Sequence, residues 1–203
     1  MPLWILDNLE LLSGLIRDGG LVMLPLVALS LIMWLLIIER AFFFKRLYQK
    51  NMNNKTALTM IRENKMPGPD EYKGAVSLLV AEFIPNRTGR KKLDRYLLDA
   101  AAARISRRLN RFLPLIGVLA AIAPLMGLLG TVTGMITTFD VLAIYGTGNA
   151  KAIAGGISES LITTQTGLVV AIPGLYMKGF LDKRSERLAQ DIRQAELYLK
   201  RYL

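Results

Sequence analysis

The chain has 203 residues, 52% of them hydrophobic, with a formal net charge of +10. It contains no Cys and no His, which excludes disulfides, thiolate or imidazole metal sites, Cys or His nucleophiles and His-based pH switches. Near neutral pH, carboxylates are left as the proton-active side chains, and the basic excess lies between long uncharged blocks rather than among them.

The first segment, residues 1–18, carries Asp7, Glu10 and Asp18, so its acidic character does not suit a cleaved signal peptide. Leu6, Leu9, Leu12 and Ile16 recur at spacings of three or four behind Trp4, which predicts an amphipathic helix lying on a membrane surface. Leu21 to Ile38 is uncharged between Asp18 and Glu39-Arg40 and predicts a first transmembrane helix over 19–39.

Residues 40–111 form a basic loop. Pro67-Gly68-Pro69 and Pro85-Asn86-Arg87-Thr88-Gly89 break it into helical pieces. Leu93, Leu97, Ala101, Ile105 and Leu109 then make an i, i+4 stripe expected to run straight into the second span. The bland reading of the Lys and Arg residues is a solvated face in contact with anionic headgroups; no nucleic-acid-binding motif accompanies them.

The second transmembrane helix is expected over 112–139. Gly117, Ala120, Pro124, Gly127, Thr131, Gly134 and Thr138 line up at helical spacing, a small-residue stripe suited to close helix packing in lipid. Thr131 and Thr133 place hydroxyls inside the membrane, where each could line a polar path or bond its own backbone. Residues 140–158 form a connection with Gly146-Thr147-Gly148-Asn149 and Gly155-Gly156, read as a flexible turn; it lacks the Gly-Lys-Ser/Thr ending of a phosphate loop.

The third transmembrane helix is expected over 159–178, followed by a cytoplasmic C-terminal helix over 179–203. Glu159 stands where the third span begins, with Thr163, Thr164, Gln165 and Thr166 after it. A carboxylate at that depth is costly unless paired or hydrated, which points to function; the plain alternative is an interfacial Glu marking the helix start. Positions 159, 163, 166 and 170 share one helix face, whereas Thr164 lies about 140° from Glu159. Leu181, Ser185, Leu188, Ile192, Ala195, Leu199 and Tyr202 alternate spacings of four and three, a coiled-coil-like seam.

Lys and Arg number 17 in the 39–111 stretch and seven from Lys178 onward, against Arg17 alone before the first span and Lys151 alone between the second and third. The positive-inside rule therefore puts the large loop and C-terminus in the cytoplasm and the N-terminus on the opposite, periplasmic side. The fold class expected is an all-α membrane protein with three transmembrane helices and long helices extending into the cytoplasm.

Gly127-Leu-Leu-Gly130-Thr131-Val132-Thr133-Gly134 in the second span, Gly156-Ile-Ser-Glu159-Ser-Leu-Ile-Thr-Thr164 with Gly167-Leu-Val-Val-Ala171-Ile172-Pro173 in the third, and Ile38-Glu39-Arg40 resemble the ExbB/TolQ/MotA family of proton-channel motor proteins, and ExbB most of all. The resemblance implies a pentameric inner-membrane ring whose second and third spans surround a lumen. A dimeric ExbD- or TolR-like single-span partner would occupy that lumen, with a TonB-like protein as a further partner. No catalytic constellation appears on either side of the membrane, so no enzymatic activity is expected, and no cofactor, metal or nucleic acid either. Carried over residue by residue, the lumen threonines fall on Thr131 and Thr164 and the third-span carboxylate on Glu159. Thr133, Thr163, Gln165, Thr166, Gly127 and Gly134 follow as lumen or packing residues. Thr133 stands where a Trp is common, Gln165 and Thr166 make the third span more polar than usual, and the fourth span of MotA-like stators is missing. The function implied is coupling of proton flow to outer-membrane work, foremost TonB-dependent uptake. TolQ-like envelope maintenance, a motility motor and a non-conducting membrane scaffold are the alternatives. A secondary transporter would need inverted repeats, and the spans show none.

Overall fold

The computed structural model describes residues 14, 19–48, 52–68, 72 and 74–202. Among them every regular element is helical. The helices are α1 (Gly20–Tyr48), α2 (Asn54–Arg62), α3 (Ala75–Phe83), α4 (Lys91–Asn110), α5 (Leu113–Tyr145) and α6 (Ala150–Tyr202), with 3-10 turns at Ile84–Asn86 and Gly146–Gly148. Three stretches of helix are long and apolar enough to cross a membrane, one each in α1, α5 and α6. The surface helix expected over 1–18 lies outside the described residues, Gly14 apart.

The chain packs as two compact units, one of Leu115–Lys178 with the residues up to Ile37, the other of Ile38–Pro114 with Gly179–Leu203. In the first unit, α1 buries Met23, Leu26, Met33 and Ile37 on one face while Leu21, Leu31, Ile32 and Leu35 stay exposed. A helix that is apolar on every side suits hydrocarbon rather than water. Pro124 and Pro173 sit inside α5 and α6. Each removes one backbone donor, a loss that membrane helices absorb through neighbouring helices and local adjustment.

The helices outrun the segments expected to cross. α5 continues to Tyr145 and α6 starts at Ala150, so most of the 140–158 connection is helical and Gly155-Gly156 lies inside α6. α6 has 53 residues; at 1.5 Å per residue it is about 80 Å long, well beyond a hydrocarbon core of ~30 Å.

In the second unit Pro67 falls after α2 ends and Pro85 between α3 and α4, where breaks are expected. Two details of the expected stripe differ. Leu98 and Asp94 are buried, whereas Leu93 is exposed and Leu97 half-buried. The cause is local. Asp94 Oδ1 accepts from Thr88 N at 2.8 Å and Thr88 Oγ1 at 2.9 Å, and Oδ2 from Gly89 N at 3.1 Å. This carboxylate reaches back to hold the preceding turn.

Nor does α4 run straight into the second span. It stops at Asn110, and Phe112 has φ +66°, a left-handed conformation that bulky residues rarely adopt. Arg40 braces this break. Its side chain is buried, Nη1 donates to Arg108 O at 3.0 Å, and the guanidinium lies 5.0 Å from the Phe112 ring and 4.9 Å from Phe43. Glu39 takes two more donors, with Nε to Oε2 at 2.7 Å and Nη2 to Oε1 at 3.2 Å.

The tail seam is buried from Leu181 through Leu199, and Tyr202 at its end is exposed. Its partner is α4, running antiparallel. Ser185 Oγ donates to Asn110 Oδ1 at 2.8 Å at one end, and Lys200 pairs with Asp99 toward the other.

Candidate functional site

The α5 and α6 segments of the first unit pack antiparallel through small residues. Ala120, Ala123, Gly127, Gly130, Gly134 and Thr138 are buried on α5; Gly156, Ser160, Thr163, Gly167, Ala171 and Gly174 answer them on α6. The approach is close enough that added carbons have no room. A Cβ on Gly134 would lie 2.8 Å from Gly156 O, one on Gly156 2.9 Å from Gly134 O, and one on Gly167 2.7 Å from Ala123 O. Gly174 meets Met33 of α1 and Ala120 of α5, so the three helices converge there.

Within this pair the residues singled out from the sequence divide by role. Gly127, Gly134 and Thr163 are buried packing residues; Thr163 fills the space beside Gly130 and donates to Glu159 O and Ser160 O, both at 3.0 Å. Thr131 is half-buried and donates to Leu128 O at 2.6 Å, and Thr133 donates to Gly130 O at 3.0 Å. Both hydroxyls thus bond their own helix. Thr164 is half-buried and crosses the interface, donating to Gly127 O at 3.2 Å as well as to Ser160 O at 3.1 Å. Because Thr164 stands beside Gly127 and Thr163 beside Gly130, Thr131 and Thr164 occupy neighbouring levels of the pair. Gln165 is exposed, and Thr166 donates to Ile162 O at 2.7 Å.

Glu159 is half-buried, and its carboxylate lies against Gly20 at the start of α1. No other Asp, Glu, Lys or Arg occurs between Lys151 and Lys178. The third helix therefore presents two polar faces. Ser160, Thr163 and Thr164 turn toward α5, and Glu159 toward the first residue of α1.

Sequence reasoning missed Gly130, Ser160 and Gly20. The Ser160 hydroxyl donates to Gly156 O at 3.0 Å and lies 3.3 Å from Thr131 O across the interface. Its signal was present in the run 156, 160, 163, 167, 171, 174, all small or hydroxyl residues at spacings of three or four. Of the α5 stripe read from sequence, Gly117, Pro124 and Thr131 lie at the edge of the contact, and Ala123 and Gly130 take the centre. Among the described residues no three His, Cys, Asp or Glu side chains gather as metal ligands would.

Long apolar helices that are exposed on most faces, joined by small-residue packing and holding one carboxylate in the third span, define an all-α multi-pass membrane protein. Residues 43–194 match the MotA/TolQ/ExbB proton channel family, and the chain belongs to that family. Among its relatives is the biopolymer transport protein ExbB-like 1 of Synechocystis sp., 35% identical over 179 residues, or 84% of this chain and 70% of that one. A second from the same organism, ExbB-like 3, is 34% identical over 77% of this chain and 78% of its own length. The biopolymer transport protein ExbB of Aquifex aeolicus is 38% identical over 53% of this chain and 76% of its own.

Proposed function

We propose that this protein is the proton-conducting ring subunit of an inner-membrane motor, with Glu159 as the proton-accepting group and Thr131 and Thr164 lining the path. Membership of a proton channel family and the ExbB names of its relatives support the class. The observation that carries the assignment of residues is the solitary Glu159 carboxylate in an otherwise uncharged stretch of α6, a few residues from Thr164. The ring would be a homo-pentamer around an ExbD- or TolR-like single-span partner, and the protein would act as a transport component rather than an enzyme. The uneven distribution of Lys and Arg supports a cytoplasmic 40–111 segment and C-terminus, and protons would move toward that side. Each proton falling through ~150 mV releases roughly 3.5 kcal/mol, enough to switch a packed helix interface between two states. Coupled through a TonB-like protein, that work would drive uptake across the outer membrane.

The test is proton flux into proteoliposomes holding the protein with the single-span partner that co-purifies with it, read by an internal pH-sensitive dye. Glu159→Gln should abolish flux, and Thr164→Val should reduce it while leaving the complex assembled. Flux through Glu159→Gln equal to wild type would reduce the chain to a membrane scaffold.

A further inference from the structure

Gly20 opens α1 with φ +64°, a conformation that side-chain-bearing L-residues rarely adopt, and Gly19 before it is buried. The space a side chain would fill there is already taken. A Cβ on Gly20 would overlap Glu159 Oε1 and lie 3.2 Å from Glu159 Cγ. We propose that the Gly19-Gly20 turn is a positioning element for Glu159, seating the carboxylate against the first turn of α1 and fixing where on α6 it can take up a proton. The proposal rests on the proton-accepting role given to Glu159 above. The matched family region begins at residue 43, so that match assigns nothing to this turn.

The chemistry favours such a seat. A carboxylate among apolar side chains needs polar partners, and the first turn of a helix offers backbone N–H groups with no intrahelical acceptor together with the positive end of the helix dipole. α1 has no acidic residue of its own in that turn. Only a residue without a Cβ lets a carboxylate from another helix come so near the backbone. Glu159 and Gly20 therefore fit as a pair: shortening one or enlarging the other separates them.

The test uses the full chain, purified in micelles, and two readouts. The first is the rate at which a hydrophobic carbodiimide modifies Glu159, followed by intact mass with Glu159→Gln as the blank. The second is proton flux in the proteoliposomes described above. Gly20→Ala should change the modification rate by about tenfold, the equivalent of ~1.4 kcal/mol, which lies within the range that forcing a Cβ into filled space costs. Gly20→Asn, which tolerates the backbone conformation yet adds a Cβ, should do the same and so separates collision from strain; it also decides the matter if Gly20→Ala fails to fold. In the Glu159→Asp background the shorter side chain withdraws from the Cβ, and Gly20→Ala should then have little further effect. Gly155→Ala, with nothing within 4 Å of the added carbon, should match wild type. Modification rates for Gly20→Ala and Gly20→Asn within about twofold of wild type, or additive effects in the double variant, would overturn the proposal. Labelling needs no conduction, so absence of flux in every sample would sink the channel reading while the carbodiimide result still decides the positioning role.

Discussion

The contact between α5 and α6 makes a quantitative prediction at Gly167. A Cβ there would stand 2.7 Å from Ala123 O and 3.1 Å from Gly127 Cα, against at least 3.4 Å for ordinary van der Waals contact. Both obstructing atoms belong to backbone, so no rotamer change relieves them and the helices must separate by several tenths of an ångström. Overpacking of that kind costs about 1–3 kcal/mol. The same separation stretches the Thr164 hydroxyl's 3.2 Å bond to Gly127 O beyond useful length, and an interhelical bond in a membrane contributes ~0.6 kcal/mol. Gly167→Ala should therefore destabilise the protein by about 0.6–2.6 kcal/mol net, after the gain of ~1 kcal/mol that alanine normally brings to a helix interior is subtracted. Gly155→Ala, on the same helix and with open space around it, should show that gain instead. Equilibrium unfolding in mixed micelles, followed by far-UV circular dichroism, measures both. Equal stability of the two variants would mean that α5 and α6 are not held at this distance.

Three further outcomes follow from the second unit. Asp94→Ala removes the acceptor of Thr88 N, Thr88 Oγ1 and Gly89 N in a buried position, and should cost about 2–4 kcal/mol in thermal or denaturant unfolding. Arg40→Met should loosen the Phe112 break, losing the Arg108 O bond and two ring contacts for roughly 2–3 kcal/mol; limited proteolysis after Arg111 reads it, and Arg40→Lys should rescue only part because it lacks the planar fork. Asp99, Glu196 and Lys200 give a pH dependence. Burial raises Asp99, but hydrogen bonds from Glu196 and Lys200 outweigh it and hold Asp99 below the usual carboxylate range. Burial and the bond to Asp99 push Glu196 up, and Asp99 in turn raises Lys200. Asp99 thus adds stability above its unfolded pKa that is lost as pH falls through its lowered folded value. Glu196 adds stability below its unfolded pKa that is lost as pH rises through its raised one. Glu196→Gln, which keeps a donor toward Asp99, should flatten the loss on the rising side and leave the acid side unchanged, as read by melting temperature against pH.

What could be read from sequence was whatever depends on composition along the chain. Three uncharged runs became three apolar helices, and Pro67 and Pro85 marked breaks because a missing N–H and a fixed φ act locally. At the start of α4 the buried face passes through Asp94 and Leu98 rather than Leu93 and Leu97, while Ala101, Ile105 and Leu109 are buried as the stripe requires. Asp94 is buried because its carboxylate accepts from Thr88 and Gly89 in the turn before it, and only those three hydrogen bonds disclose that. The break at Phe112 does have a local signal, Pro114 in the first turn of α5, whose missing N–H stops the α4 ladder from continuing; its brace, Arg40, is far away in the chain and has none. Likewise, a stripe of small residues declares that a helix packs closely without saying against what. The roles of Gly130 and Ser160 became visible only when the antiparallel register set each beside its neighbour.

That register also limits what the threonines can do for a proton. Thr131 and Thr164 already spend their hydroxyl hydrogens on carbonyls of Leu128, Gly127 and Ser160. A hydroxyl that donates keeps lone pairs to accept, so both residues can receive a hydrogen bond from water but offer none without breaking one. They suit a lining that orients water, and neither replaces a group that binds the proton. Glu159 alone on this stretch of α6 has that capacity. Five residues separate it from Thr164, about 7.5 Å along the helix axis. The two also lie about 140° apart around the helix, so under the proposed function water rather than side chains links them. Thr164→Ser, which keeps the hydroxyl, should then conduct like wild type, whereas Thr164→Val should slow flux without altering carbodiimide labelling of Glu159. A Val variant that conducts normally would leave Thr164 as packing alone.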